Sequence, residues 1–173
     1  MQEKKETKTL LLVRHAKSSW DSATLSDFER PLNDRGKKDA PMMAQRLLKR
    51  KIAIDAFVSS PAKRAKKTAE LFCSEYDRKE SDIIFISKLY HASPDTFFET
   101  IAELNDDFKT VALFSHNNGI TEFANSLVED VSVDNMPTCS IFCVSIETEK
   151  WKDFKNAKKQ FVFFDYPKKE QNN

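Results

Sequence analysis

Short, uninterrupted apolar runs are the feature that most constrains how this chain can fold. Leu10–Val13 and Val111–Phe114 are entirely apolar, without polar alternation, which is typical of strands that are covered on both faces. Segments with helical apolar spacing lie between such runs. This alternation predicts an α/β fold, a three-layer α/β/α sandwich with a mainly parallel central sheet.

Turn and capping residues predict where the other elements lie. Asn33 is expected to cap a helix with an apolar stripe at Met42, Met43, Leu47 and Leu48. Pro61 is expected in the first turn of a second helix, and Ser93-Pro94 begins a third. Besides the two apolar runs, the pattern indicates strands near residues 55–59, 83–86, 140–146 and 160–164, and a fourth helix over 120–128.

Length and composition limit the number of domains, the classes of binding partner and the cellular compartment. The 173 residues contain no linker-like stretch, so we expect one domain over 1–173 with disordered tails near 1–7 and 168–173. The net charge of +1 gives no overall attraction to nucleic acid or to a membrane. No apolar segment is long enough for a signal peptide or a membrane span. Three cysteines without a C-x-x-C pair indicate buried, reduced thiols, and we expect a cytoplasmic protein.

Basic side chains follow three of the predicted strands. Arg14-His15 comes directly after the first strand, Ser59 and Arg64 follow the second, and His116 follows the fourth. Because ligands of open α/β sheets bind beyond the carboxyl ends of the strands, these side chains are expected at one edge of the sheet. Two arginines and two histidines converging there predict an anion site.

The residue types at this edge favour phosphoryl transfer without a metal or another cofactor. A neutral imidazole can act as a nucleophile if its other ring nitrogen gives its hydrogen to an acceptor. The transfer then mostly requires positioning and charge stabilisation. The chain contains no C-x5-R, D-x-D or H-E-x-x-H motif, and its two glycines exclude a Walker loop.

Five segments resemble one protein family, in the order in which that family carries them. Leu12–Ser18 is similar to the R-H-G/A motif of the histidine phosphatase superfamily, which has the phosphoglycerate mutase-like fold. Pro31–Gly36 resembles its L-T-x-x-G segment, Ser59–Ala69 its S-S-x-x-x-R-A-x-x-T-A motif, and Phe114–Gly119 its G-H-N-P-G motif. Within the superfamily, Leu89–Ser93 and the opening around His15 resemble the small SixA-type phosphohistidine phosphatases.

The resemblance implies roles for particular residues. His15 would be the phosphorylated nucleophile, and Arg14, Arg64 and His116 would hold the phosphoryl group in the transition state. Ser18 would donate a hydrogen bond nearby.

Two positions depart from the family pattern in ways that bear on the substrate. Asp21 stands where many members have Asn, and His91 stands where larger members carry a catalytic Glu that protonates the leaving oxygen. We treat both as candidate substrate-binding residues. Without that Glu, an alkoxide would leave poorly, whereas phosphohistidine releases an imidazole that needs less help. His91 could serve as a weaker acid.

Three functions therefore stay open. The first is removal of phosphate from phosphohistidine in a protein such as a phosphotransfer domain. The second is hydrolysis of a small phosphomonoester with His91 as general acid, and the third is phosphate binding without turnover. The C-terminal strands could form an edge that pairs with another chain.

Overall fold

A six-stranded sheet is the frame of the computed structural model, which describes residues 4–171. The strands are β1 (Thr7–Arg14), β2 (Ala56–Ser59), β3 (Ile84–Phe85), β4 (Thr110–Ser115), β5 (Ile141–Glu147) and β6 (Lys159–Asp165). The helices are α1 (Asp34–Lys49), α2 (Lys63–Glu75), α3 (Pro94–Ala102) and α4 (Gly119–Leu127). Single 3-10 turns lie at Glu80–Asp82, Ser87–Leu89 and Trp151–Asp153.

The strand order is β3-β2-β4-β1-β5-β6. The first four of these strands run parallel, and β5 and β6 are antiparallel to their neighbours. The predicted mainly parallel sheet is thus confirmed. Because β1, β2 and β4 point the same way, their carboxyl ends meet at one edge of the sheet.

Alternate residues of β1 supply two separate hydrophobic cores. Leu10 and Leu12 face α3 and α4, where Phe97 and Phe123 are fully buried. Leu11 and Val13 belong to the opposite core, to which α1 and α2 contribute their apolar sides. Side chains of a strand alternate between faces, so a continuous apolar run is required when both faces are covered. The helices on both faces confirm the three-layer sandwich.

The helix beginnings match their predicted caps, with one exception. The Asn33 side chain accepts the Gly36 N–H at 2.8 Å, and the Ser93 hydroxyl accepts the Thr96 N–H at 3.3 Å. Pro61, however, precedes the Ala62 cap of α2 and lies outside the helix. It therefore ends the turn after β2 rather than starting the helix.

Two further expectations differ from the structure in detail. Leu48 was expected in the apolar stripe of α1 but is exposed, because the buried side of that helix runs through Ala40, Met43, Ala44 and Leu47. The third strand contains only Ile84 and Phe85, both exposed at the edge of the sheet.

The predictions for the two tails and for the cysteines can be compared with the described residues. The tails expected at 1–7 and 168–173 fall partly outside the described residues; within them, Thr7 already lies in β1. Cys73, Cys139 and Cys143 are buried free thiols, as predicted. Among the described helices, none has the length and apolar character needed to cross a membrane.

Candidate active site

The carboxyl ends of β1, β2 and β4 open into a pocket of about 350 Å³. Its lining includes the four residues that the sequence singled out, namely Arg14, His15, Arg64 and His116. Arg14 ends β1, His15 and His116 directly follow β1 and β4, and Arg64 lies in the first turn of α2. These four side chains therefore lie together at one edge of the sheet, as the sequence predicts.

The backbone on both sides of His15 is held by hydrogen bonds. The His15 N–H donates to the Ser115 carbonyl at 3.1 Å, which ties the turn to the end of β4. The Ala16 N–H donates to the Thr68 hydroxyl of α2 at 3.0 Å. The imidazole is thus carried by backbone anchored to a strand and a helix rather than by a free loop.

The His15 imidazole is buried, and its surroundings determine both its charge and the ring nitrogen that carries its hydrogen. Its Nδ1 lies 2.7 Å from the Ala16 carbonyl, an acceptor that requires the hydrogen to be on Nδ1. The lone pair therefore belongs to Nε2. Burial, followed by the nearby positive charges of Arg64 and Arg14, lowers the His15 pKa well below its usual range. His15 is consequently neutral at physiological pH, as an attacking imidazole must be.

His116 lies beside His15, with 5.2 Å between the ring centroids. Its Nε2 is 2.8 Å from the Ser60 hydroxyl oxygen, whereas its Nδ1 is buried without a partner among residues 4–171. Burial is the largest cause of its lowered pKa, and His15 and Arg64 lower it further. His116 is therefore neutral too, so the four residues that the sequence singled out supply two cationic arginines and two neutral imidazoles.

Each arginine of the site is anchored at one side of its guanidinium. Arg14 donates to the Met136 carbonyl at 2.7 Å. Arg64 donates to the Asp27 carbonyl at 2.6 Å and to the Asp27 carboxylate at 3.0 Å. Within the described part of the chain, the buried Nε of each arginine has no hydrogen-bond partner. Buried donors without acceptors are costly, and an oxyanion in this pocket would supply acceptors.

The three weaker candidates have different positions. Ser18 is buried in the pocket lining. His91 also lines the pocket but is exposed, and its ring lies against that of Tyr90 with 3.9 Å between centroids. Asp21 is exposed and is not part of the lining, so the structure does not bring it into the site.

The structure adds a carboxylate that the sequence interpretation missed. Asp27 lies in the loop between β1 and α1, whose ends are joined by a bridge between Ser18 and Leu32. Its carboxylate accepts the Tyr90 hydroxyl at 2.6 Å, and both Arg64 and Arg30 contact it. These groups, with Tyr90 the largest cause, lower the Asp27 pKa to about 2. Asp27 is therefore ionised and holds no proton at neutral pH.

Arg30 and Trp20 form the outer wall of the pocket. The Arg30 guanidinium lies 3.6 Å from the centre of the exposed Trp20 ring, a cation–π contact. Asp27 and Arg30 both precede the Pro31-Leu32 motif in the sequence. Only packing brings Asp27 against Arg64 and Arg30 against Trp20.

The arrangement suits a tetrahedral oxyanion that undergoes attack by His15. Two guanidiniums and the His116 ring can contact its oxygens, while the neutral His15 supplies a lone pair. Across residues 4–171, no three His, Cys, Asp or Glu side chains form a group that could hold a metal ion.

Comparison with known proteins agrees with this geometry. The family model described as histidine phosphatase superfamily (branch 1) matches residues 10–85. An uncharacterized chloroplastic protein of Arabidopsis thaliana is 29% identical over 157 residues, covering 85% of this chain and 70% of its own length. An uncharacterized protein of Mycobacterium leprae is 26% identical over 168 residues, covering 90% of this chain and 100% of its own length.

Solved structures share the fold. A protein histidine phosphatase SixA solved with tungstate superposes with a TM-score of 0.78 at 21% identity, covering 92% of this chain and 97% of that one. A mycobacterial glucosyl-3-phosphoglycerate phosphatase gives a TM-score of 0.68 at 16% identity, covering 90% and 97%. The predicted phosphoglycerate mutase-like fold is thereby confirmed, and the resemblance to the histidine phosphatase superfamily is matched by the family model over residues 10–85.

Proposed function

We propose that this chain, which matches the histidine phosphatase superfamily in sequence and SixA in fold, is a metal-independent phosphatase that removes phosphate from phosphohistidine in proteins. The observation that carries the proposal is the neutral, buried His15, whose Nδ1 is held by the Ala16 carbonyl beside Arg14 and Arg64. The buried free cysteines fit a reducing compartment, and we include the cytoplasm in the proposal.

In the first step, Nε2 of His15 attacks phosphorus and the P–N bond of the substrate breaks. The substrate imidazole leaves with the electron pair of that bond, and it leaves neutral if its other nitrogen carries a hydrogen. Arg14 and Arg64 hold the equatorial oxygens, whose charge they balance. If the Ser60 hydroxyl donates to Nε2 of His116, the hydrogen of His116 is on Nδ1, which then donates to a phosphoryl oxygen.

In the second step, water attacks the phosphorus of phosphorylated His15. The new P–O bond forms as the P–N bond to His15 breaks, the water proton is lost to a phosphate oxygen or to solvent, and inorganic phosphate leaves. His15 returns to its starting state because the Ala16 carbonyl keeps the hydrogen on Nδ1.

The choice of a P–N bond follows from the lack of a protonated carboxyl group among the described residues that line the pocket. The single carboxylate among the described lining residues is Asp27, which is ionised and bound to Arg64 and Tyr90. An alkoxide leaving group requires a proton from the pocket, whereas the imidazole of a phosphohistidine whose other ring nitrogen already carries a hydrogen leaves neutral without one. A pocket with these residues therefore favours phosphohistidine over an alkyl phosphate.

Hydrolysis of a small phosphomonoester is the alternative, and the position of His91 supports it. His91 lines the pocket at its exposed side, where a leaving oxygen could receive a proton from it. The fold similarity to a glucosyl-3-phosphoglycerate phosphatase is compatible with such a substrate. A binding module without turnover is the third candidate, and it would form no covalent intermediate.

A phosphate-release panel tests the proposal. With EDTA present, we expect the wild type to release phosphate from a histidine-phosphorylated phosphotransfer domain faster than from sugar or nucleotide phosphates. His15→Ala should abolish release and the trapping of phosphorylated protein, and Arg64→Gln should lower kcat by about 10²–10³. His91→Ala is the matched control and should leave phosphohistidine turnover nearly unchanged. Faster turnover of a phosphomonoester, lost in His91→Ala, would favour the alternative.

A further inference from the structure

A second concave surface lies next to the proposed active site and shares none of its lining residues. It is a groove of about 630 Å³ between the beginnings of α1 and α2. Four lysines line it, Lys37, Lys63, Lys66 and Lys67, together with Glu29 and Glu70. We call this surface the lysine groove. It concentrates positive charge on a chain whose net charge is only +1.

Most of this positive charge has no carboxylate partner in the part of the chain that the structure describes, although the Lys66 ammonium lies 5.6 Å from the centre of the Phe85 ring. Lys67 forms an ion pair with Glu70 at 3.6 Å. Within residues 4–171, no carboxylate lies within 4 Å of the ammonium groups of Lys37, Lys63 or Lys66. All four lysines are exposed. Their charge is thus available to a molecule outside the chain.

Helix stability does not explain the lysines. Lys63, Lys66 and Lys67 lie in the first two turns of α2, and that helix has no acidic residue in its first turn. Positive side chains are unfavourable near the positive end of a helix dipole, by a few tenths of a kcal/mol each. Lys63 lies in the first turn, where the dipole disfavours it, and Lys66 and Lys67 lie beyond that turn, so the dipole stabilises none of the three. Recognition of an anionic partner is the better account of their charge.

The groove also has an apolar floor. Phe28, Pro31, Leu32 and Pro61 line it, and Phe28 is partly exposed. A polypeptide segment with both acidic and apolar side chains matches such a surface, whereas a nucleic-acid backbone would use only the charges.

Phe28 joins the groove to the proposed active site. Its ring packs edge-on against Tyr90, a lining residue of the active site, with 5.1 Å between centroids. Its carbonyl accepts the Lys63 N–H at 3.0 Å. The preceding residue is Asp27, which is bound to Arg64. A segment in the groove would therefore lie directly beside a substrate whose phosphoryl group is in the pocket.

We propose that the lysine groove binds an acidic segment of the phosphorylated protein while its phosphohistidine occupies the pocket beside His15. The inference rests on the proposed function and deepens it, because it assigns the substrate an acidic surface next to the phosphorylated residue. Electrostatic attraction of this kind raises the association rate and selects partners more than it changes chemistry.

Two synthetic peptides test the proposal by kinetics. Both carry one phosphohistidine, and they differ only in flanking residues, Asp and Glu in one and Asn and Gln in the other. For the wild type, we expect kcat/KM to be about tenfold higher with the acidic peptide at low salt. In Lys37→Gln/Lys63→Gln/Lys66→Gln the ratio should fall to near one, whereas hydrolysis of free phosphohistidine should not change.

The matched control is Lys109→Gln/Lys152→Gln/Lys158→Gln. These lysines are exposed near the start of β4 and in the β5–β6 connection, at the opposite end of the sheet. This variant should keep the wild-type preference for the acidic peptide. Equal kcat/KM for the two peptides with the wild type, or an equal loss of preference in both triple variants, would overturn the proposal.

A binding measurement separates this inference from the proposed catalysis. Fluorescence anisotropy of the labelled, unphosphorylated acidic peptide should show weaker binding to the groove variant than to the control variant, even if no phosphohistidine is hydrolysed. Loss of catalysis with retained, groove-dependent binding would reject the function and support the groove. Tighter groove-dependent binding of a single-stranded oligonucleotide of equal charge would identify a nucleic-acid surface and overturn the proposal.

Discussion

At the scale of single residues, Asp27 is the carboxylate that holds the arginines Arg64 and Arg30 in position at the proposed active site. Its carboxylate contacts Arg64 at 3.0 Å, Arg30 at 3.3 Å and the Tyr90 hydroxyl at 2.6 Å. A carboxylate is an oxyanion, so it competes with a phosphoryl group for the same guanidinium donors. Asp27 thereby holds Arg64 in position and at the same time weakens anion binding.

Replacing Asp27 by Asn tests this competition. Asn keeps the size of the side chain but removes its charge, so we expect inorganic phosphate to inhibit Asp27→Asn about tenfold more strongly than the wild type, which corresponds to about 1.4 kcal/mol. The inhibition constant for phosphate in the hydrolysis assay is the measurement. Asp21→Asn in the same loop is the control, because Asp21 is exposed outside the pocket. Equal constants for the two variants would contradict the argument.

At the scale of elements, the first turn of α1 packs directly on the segment that follows His15. The Asn33 N–H donates to the Lys17 carbonyl at 3.0 Å. A Cβ built on Gly36 would lie 2.2 Å from that same carbonyl oxygen. The close approach of helix and backbone therefore requires glycine, and it supports the turn that carries His15, the proposed nucleophile.

We expect Gly36→Ala to destabilise the fold by about 1–3 kcal/mol, because backbone cannot yield as a flexible side chain can. Urea unfolding measures this loss, and phosphohistidine turnover should fall as well since the segment at Lys17 must shift. Lys38→Ala, at an exposed position of the same helix, serves as the comparison. Unfolding free energies within about 0.5 kcal/mol of each other in the two variants would show that the contact is unimportant.

At the scale of the whole molecule, the fold buries two neutral histidines where its parallel strands end. His15 and His116 are 5% and 7% exposed, and burial lowers the pKa of each. In the unfolded chain both histidines titrate near pH 6.5. As the pH falls below that value, the unfolded state binds protons that the folded state does not accept, so stability decreases.

This linkage predicts an acid-dependent loss of stability. Between pH 7 and pH 5.5, each buried neutral histidine should contribute a loss of about 1 kcal/mol in the free energy of unfolding. The double variant His15→Gln/His116→Gln should therefore lose about 2 kcal/mol less than the wild type over this interval. Denaturant unfolding at the two pH values provides the comparison. An equal pH dependence would mean that these histidines take up protons in the folded protein as readily as in the unfolded chain.

The main elements and the four motif residues could be predicted because their signals are local. The uninterrupted runs in β1 and β4 indicate strands with two covered faces, and the alternation of strands with helices predicts the parallel sheet. Parallel topology then brings Arg14, His15, Arg64 and His116 to one edge without any knowledge of distant contacts.

Tertiary packing determined the features that depend on contacts between residues distant in the chain. Tyr90 is 63 residues from Asp27 in the chain, yet their side chains share a hydrogen bond. Leu48 and β3 differed from expectation because helix rotation and strand length depend on the neighbours against which an element packs. The lysine groove exists because two helix beginnings and one loop meet in space. The periodicity of apolar residues predicts a helix or strand from the residues of that element alone. Contacts between residues that are distant in the chain depend on two elements at once, and only the folded chain determines which elements meet.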